Sequence, residues 1–91
     1  MKFTVVYHPK VISEDIPKIS QPWKTKIRLG IEDRLTDKPD FYGKPLRRSL
    51  AGYRKLRVGD YRIIFKIDES TVKILMIAHR STVYKIISKR L

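Results

Sequence analysis

The spacing of hydrophobic positions changes along the chain. Residues 2–7 are β-branched and aromatic in a row and stop at Pro9, which predicts a strand. Ile12, Ile16 and Ile19 then recur at helical spacing and predict a first helix over 9–19, short or broken because Pro17 lies inside it. Ser20-Gln21-Pro22 opens a second helix: Ser20 offers a cap and Pro22 fits an early helical position. Trp23, Ile27, Ile31 and Leu35 repeat every four residues as one apolar stripe, with Lys24, Arg28, Glu32 and Asp33 off it. Gly30, inside this helix, costs about 1 kcal/mol relative to alanine and points to a close contact with a sheet. Residues 36–40 end the helix, and two helices joined so closely are expected to form an antiparallel pair.

Past residue 40 the period becomes two. Residues 40–52 are rich in Pro, Gly and basic side chains and read as a loop. Residues 53–58 and 61–67 flank Gly59-Asp60, the pattern of a tight hairpin. Asp68-Glu69-Ser70 makes the next turn. Residues 71–78 (Thr-Val-Lys-Ile-Leu-Met-Ile-Ala) are the most continuously apolar strand, as in an interior strand covered on both faces. Residues 82–91 carry Val83, Ile86 and Ile87 and fit a terminal helix or a strand, the helix being favoured. The order βααβββ with a tail implies an α+β fold, with the helix pair on one face of a mostly antiparallel four-stranded sheet. Without a repeat, a linker or a low-complexity tract, residues 1–91 read as a single domain.

Composition narrows the function classes. Hydrophobic residues at 42% and charged residues at 33% describe a globular chain. No apolar run approaches the ~18–20 residues of a membrane helix. The opening residues lack the apolar stretch of a signal peptide, so a cytoplasmic protein without membrane contact is expected. The absence of cysteine excludes disulfides, thiolate catalysis and cysteine-ligated metal. No metal or cofactor is expected.

The net charge of +12 is unevenly placed. Residues 1–42 hold 8 Lys/Arg against 6 Asp/Glu, whereas residues 43–91 hold 13 against 3. Such a half repels itself when folded, and a phosphate backbone or an acidic protein would compensate. Side chains alternate faces along a strand. Leu56 and Val58 therefore share one face and Lys55 and Arg57 the other, while Tyr61, Ile63, Phe65 and Ile67 oppose Arg62, Ile64 and Lys66. With the apolar faces on the helices, Lys55, Arg57 and Arg62 converge on an open face. Folding gains nothing from neighbouring like charges, but a phosphate between them is held well, forked by Arg and attracted by Lys. The third strand exits into His79-Arg80-Ser81-Thr82-Val83-Tyr84, adding an imidazole, a guanidinium and a phenol. Cleavage of RNA needs a base for the 2′-OH, stabilisation of the charged phosphorane and an acid for the leaving oxygen. Lys, Arg and Tyr can supply all of these. Lys44, Arg47 and Arg48, with Arg54, Lys66 and His79, are candidate RNA contacts. Each has a plainer reading. Arg62 could pair with Asp60 or a carbonyl, Tyr84 could be a half-buried core residue, and His79 could be a packing histidine. His8 and Trp23 read as structural.

The run Lys55-Leu56-Arg57-Val58-Gly59-Asp60-Tyr61-Arg62-Ile63-Ile64-Phe65, followed by His79 to Tyr84, resembles the RelE/ParE superfamily of toxin–antitoxin toxins. Lys44-Pro45-Leu46-Arg47 before Leu50-Ala51-Gly52-Tyr53 fits the same pattern, and the element order matches over nearly the whole chain. The resemblance implies a RelE-like fold and a metal-independent endoribonuclease that cuts mRNA in the ribosomal A site. It implies Lys55 or Tyr84 in proton transfer, and Arg57, Arg62 and Arg80 holding the phosphate. As partners it implies an acidic antitoxin covering the cationic face, mRNA with the 70S ribosome, and operator DNA only through the antitoxin complex. The chain departs from the pattern at Tyr53, where some members carry a second lysine, and in a shorter stretch between Arg80 and Tyr84. The alternatives within the superfamily are a ParE-like poison of DNA gyrase that cuts nothing, and a weakly catalytic member that binds antitoxin and operator.

Overall fold

The computed structural model describes residues 2–91. Strand β1 (Thr4–Tyr7) is followed by the helical segments Val11–Asp15 and Ile16–Lys18, then by helix α1 (Gln21–Gly30), which runs on through a wide turn at Ile31–Leu35. Helix α2 (Pro39–Tyr42) and strand β2 (Lys44–Pro45) lead through a tight turn at Arg48–Leu50 to β3 (Tyr53–Val58), β4 (Tyr61–Asp68), β5 (Thr71–His79) and helix α3 (Val83–Arg90). The sheet order is β1-β5-β4-β3-β2, with β1 parallel to β5 and the other pairs antiparallel.

Both early helices pack on one sheet face, as the α+β reading expects. Val11, Ile19, Ile27, Ile31 and Leu35 close over Leu56, Ile63, Phe65, Val72, Ile74 and Ile77 in one buried cluster. The stripe Ile27, Ile31, Leu35 is buried as its spacing predicts, with Trp23 partly buried at its start. The first helix keeps Ile19 buried and Ile16 packed on the core, as its predicted stripe requires, but not Ile12. It is wound wide, with the Ile16 N–H donating to the Val11 carbonyl five residues back, so Val11 and Asp15 face inward and Ile12 is 61% exposed. Ser20 sits at the cap of α1 but its side chain gives no hydrogen bond; its carbonyl accepts from the Lys24 N–H instead. His8 is structural, accepting the Lys10 N–H on Nδ1 at 3.1 Å.

Two expectations need correction. The sheet has five strands, because Lys44–Pro45, inside the predicted loop, pairs with Lys55 and Arg54. So short an edge strand has no periodicity to read, and Pro45 fits because an edge strand tolerates a missing donor. The face opposite the helix pair is also not fully open. Helix α3 lays Val83 and Ile87 on it over Ile64, Leu75, Met76 and Ala78, with Leu46, Leu50 and Tyr53 packed alongside. A bulge makes this second core possible. Ile64 pairs with Met76 but Phe65 pairs with Ile74, so Leu75 is the extra residue and lies on the same face as Met76. Residues 74–78 are thereby buried on both faces, as the apolar character of the strand predicts, while Lys73 is exposed.

The β3–β4 hairpin depends on Gly59. Its φ of +57° lies in the left-handed region, where a side chain is strained, and a Cβ built there would lie 2.3 Å from the Trp23 ring. Trp23 also packs on Tyr61, with ring centroids 5.3 Å apart. Gly59→Ala is expected to lower the unfolding free energy by about 2–4 kcal/mol, combining left-handed strain with a displaced ring. A urea titration followed by Trp23 fluorescence checks it, and a loss below ~0.5 kcal/mol would show that the ring yields freely. Gly30 meets its expectation more mildly: a Cβ there would stand 3.1 Å from Val58 Cγ2, so helix and sheet approach closely.

Candidate functional site

Alternation along β3 and β4 places Lys55, Arg57, Arg62 and Lys66 on the α3 side of the sheet. The register sets Arg57 opposite Arg62, Lys55 opposite Ile64 and Tyr53 opposite Lys66. Lys44, paired with Lys55 from β2, extends the row to the sheet edge. Among the described residues, none of Lys44, Lys55, Arg57, Arg62 or Lys66 forms an ion pair. The row is therefore a band of uncompensated positive charge on a scaffold that gains nothing from it, the arrangement a polyanion would complete.

Helix α3 brings a phenol to this band. Tyr84, in its first turn and 51% exposed, stands over β3, and the Lys55 ammonium donates to its hydroxyl at 3.3 Å. The same ammonium lies 5.9 Å from the Tyr84 ring centre. Lys55 and Tyr84 thus form a hydrogen-bonded pair on the row, partly open to solvent.

The guanidinia gather at the hairpin end. Arg62 Nη1 donates to the Gly59 and Tyr61 carbonyls, each at 3.0 Å, so part of its donor fork fastens the turn. The carbonyl partner read from sequence is present, whereas Asp60 pairs instead with Arg80. Arg80 donates its N–H to the Asp60 carbonyl at 2.8 Å and holds Nε 3.6 Å from the Asp60 carboxylate. Arg62 and Arg80 are therefore anchored on the same turn, while Arg57 is exposed beside it and lines a groove with Lys26, Asp33 and Arg34.

Other candidates separate. Arg47 and Arg48 are exposed on the turn before β3, with Arg48 at φ +59°. Lys66 lies with its ammonium 5.8 Å from the Tyr53 ring centre. The neighbouring Lys73 is tied to Asp68 at 2.9 Å, a hydrogen bond that holds the Asp68 carboxyl below its ordinary range. Arg54 and His79 are not brought to the row. Alternation turns Arg54 to the other face, where it donates to the Asp40 and Gly43 carbonyls at 3.2 and 3.0 Å and holds α2 in place. His79, opposite Tyr61, also faces the helix side. Its Nδ1 accepts the Ser81 N–H at 3.2 Å, and its ring meets Tyr61 edge-on at 5.6 Å, the packing role its position at a strand end suggests.

Sequence reasoning missed Asp15 and Arg90. Asp15 is 8% exposed, and its Oδ2 accepts both the Arg90 guanidinium at 2.5 Å and the Ile77 N–H at 2.9 Å. The only signal in the sequence was Asp15 at i+4 from the apolar Val11, and Arg90, 75 residues away, gave none.

The sequence matches the family described as ParE toxin of type II toxin–antitoxin system, parDE, over residues 5–84. The chain belongs to the RelE/ParE superfamily of type II toxin–antitoxin toxins. Toxin RelG and toxin RelE of Mycobacterium tuberculosis are 45% and 43% identical to it over 53 residues, 56% of this chain in each case. Those matches span 61% and 55% of the two relatives, so the chain aligns with somewhat over half of their length. The toxin–antitoxin complex RelBE2 from the same organism contains a chain superposing at a TM-score of 0.82 with 33% identity, over 88% of this chain and 100% of that one. The RelB–RelE complex of Methanococcus jannaschii gives a TM-score of 0.66 at 20% identity, over 88% and 95% of the two chains, a likeness of fold. The superfamily thus has both its sequence and its α+β architecture in this chain.

Proposed function

We propose that this protein is a metal-independent endoribonuclease that cuts mRNA at the ribosomal A site and so stops translation. The observation that carries the reading is the Lys55–Tyr84 pair, 3.3 Å apart, on the band of unpaired cations. In the reaction, the ribose 2′-oxygen attacks phosphorus as its proton leaves, and the 5′-oxygen departs as it gains one. Lys55 and Tyr84 are the groups able to take and return those protons within hydrogen-bond reach. Arg57, exposed, and the remaining donors of Arg62 and Arg80 would bind the non-bridging oxygens, whose charge grows in the phosphorane. Lys44, Lys66, Arg47 and Arg48 would steer the flanking backbone. The same cationic band suits an acidic, partly disordered antitoxin, whose binding would occlude the site.

Gyrase poisoning without cleavage is the second reading. It is favoured by the match to ParE and by the engagement of Arg62 and Arg80 with their own hairpin turn. A cell-free translation reaction separates the two. The protein is added, mRNA 5′ ends are mapped by primer extension, and free RNA without ribosomes runs alongside. New ends in register with codons, seen only with ribosomes and absent with a Lys55→Ala, Tyr84→Phe double variant, are expected. Cuts in free RNA would make the enzyme ribosome-independent. Unbroken mRNA and normal translation would sink the nuclease reading and favour gyrase.

A further inference from the structure

We propose that Asp15 and Arg90 are positioning residues whose buried ion pair sets the rotation and height of α3, and through it the place of the Tyr84 hydroxyl at Lys55. The inference rests on the reading of Lys55 and Tyr84 as the proton-transfer pair.

Little else fixes the position of α3. Eight residues are too few for a helix to stand alone in water. The side chain of its cap residue, Thr82, makes no capping bond and donates back to the His79 carbonyl at 3.3 Å. Val83 and Ile87 are buried beneath the helix, with Ile86 packed alongside, and these contacts are apolar. Apolar burial is non-directional: it holds the helix against the sheet without fixing how far it rolls or slides. Tyr84 itself, half exposed, has its hydroxyl hydrogen-bonded only to Lys55 among the described residues.

Arg90 supplies the missing directional contact. Its side chain is 4% exposed, and Nη1 donates to Asp15 Oδ2 at 2.5 Å and to the Leu75 carbonyl at 3.3 Å. Nη2 lies 3.8 Å from Glu14. Asp15 is fixed in turn by the Ile77 N–H. The partners are backbone of β5 and a helical segment on the opposite sheet face, so Arg90 reads the position of the whole body. Arg90 lies six residues after Tyr84, which sets the two about 9 Å apart along the axis and on different sides of the helix. A roll of α3 about its axis moves both, and the fork at Arg90 resists it. Helix position and Tyr84 position are therefore one variable.

The test combines a double-mutant cycle with a structural readout. Arg90→Gln, Tyr84→Phe, the double variant and Arg90→Lys are compared with wild type in single-turnover cleavage of ribosome-bound mRNA. Trp23 fluorescence shows whether the sheet and helix pair remain folded, and Asp15→Asn serves as the second lesion if Arg90→Gln does not fold. The expected result is that Arg90→Gln lowers the single-turnover rate ~10-fold or more while half-saturation stays within about twofold, a loss inside the range of a displaced proton-transfer group. Arg90→Lys should recover part of the rate. The double variant should be no slower than Tyr84→Phe alone, because a misplaced phenol and a missing one are the same defect. Multiplicative losses in the double variant would overturn the proposal, since a merely structural role would give that. Amide exchange and nuclear Overhauser contacts between Tyr84 and Lys55 decide the matter independently of cleavage. If the wild type cuts nothing, the nuclease reading fails, yet faster exchange in α3 with loss of the Tyr84–Lys55 contact in Arg90→Gln would still support the positioning role. An unchanged Tyr84–Lys55 contact in a folded Arg90→Gln protein would refute it.

Discussion

Replacing Asp15 with alanine is expected to lower the unfolding free energy by about 3–5 kcal/mol, the range for breaking one side of a buried ion pair. The change leaves the Arg90 guanidinium, 4% exposed, with only the half-exposed Glu14 carboxylate at 3.8 Å, and the Ile77 N–H without its acceptor. Each loss is costly because a buried charge or N–H stripped of its partner keeps its desolvation penalty. A domain of this size is stable by only about 5–15 kcal/mol, so the variant should approach the folding threshold. Asp15→Asn keeps an oxygen for the Ile77 N–H and should lose less. An apolar pair, Asp15→Leu with Arg90→Met, should recover part of the loss by removing both charges, while leaving the Leu75 carbonyl and the Ile77 N–H unpaired. Urea midpoints with unchanged slopes measure all three. A loss under ~1 kcal/mol for Asp15→Ala would mean that the pair is hydrated in solution and contributes as a surface pair does.

The second large effect concerns the rate of cleavage. Lys55→Ala is expected to slow single-turnover cleavage by ~100- to 10,000-fold, the span observed when a positioned proton-transfer group is removed. Lys55→Arg sharpens the assignment. Arginine keeps the charge and donates hydrogen bonds, yet it does not give up a proton in proteins. If Lys55 moves a proton, the arginine variant should be nearly as slow as the alanine one. Retention of more than about a tenth of the wild-type rate would make Lys55 a charge that holds phosphate, and would shift proton transfer to Tyr84. Tyr84→Phe, measured alongside, should then show the larger loss.

The sheet was legible because its strands keep strict alternation. Lys55, Arg57 and Arg62 could be placed on one face from the sequence, since period two leaves a strand no freedom. Tyr84 was legible as a residue but its contact was not: the ammonium–phenol pair depends on how α3 lies on the sheet, and that depends on tertiary packing. The Leu75 bulge was hidden within an unbroken apolar run, where a slip of one residue changes no letter of the pattern. Asp15 and Arg90 escaped for a related reason. A pairing across most of the chain leaves no local spacing, and the wide winding at Val11–Asp15 buried Val11 and Asp15 in place of Ile12, while Ile16 and Ile19 stayed on the core. Arg54 and His79 were counted as contacts from their charge and chemistry, while their backbone and ring partners became visible only in three dimensions.

Strand β1 covers β5 only as far as Ile74, with the His8 N–H making the last bond to that carbonyl. Beyond it, the Leu75 carbonyl and the Ile77 N–H point away from β4 and are taken by Arg90 and Asp15. This has a consequence for the order of folding and for self-association. The β3–β4–β5 meander is made of neighbours in sequence and closes early, whereas β1 must return across nearly the whole chain to reach its partner. Until it does, β5 offers a long apolar edge, and Ile74 to Ala78 is the kind of segment that recruits a second chain into cross-strand aggregates. The carboxylate and guanidinium that later plug this edge therefore guard the folding chain against its own most adhesive strand, and variants at either position should clump on refolding from urea at concentrations where wild type stays clear.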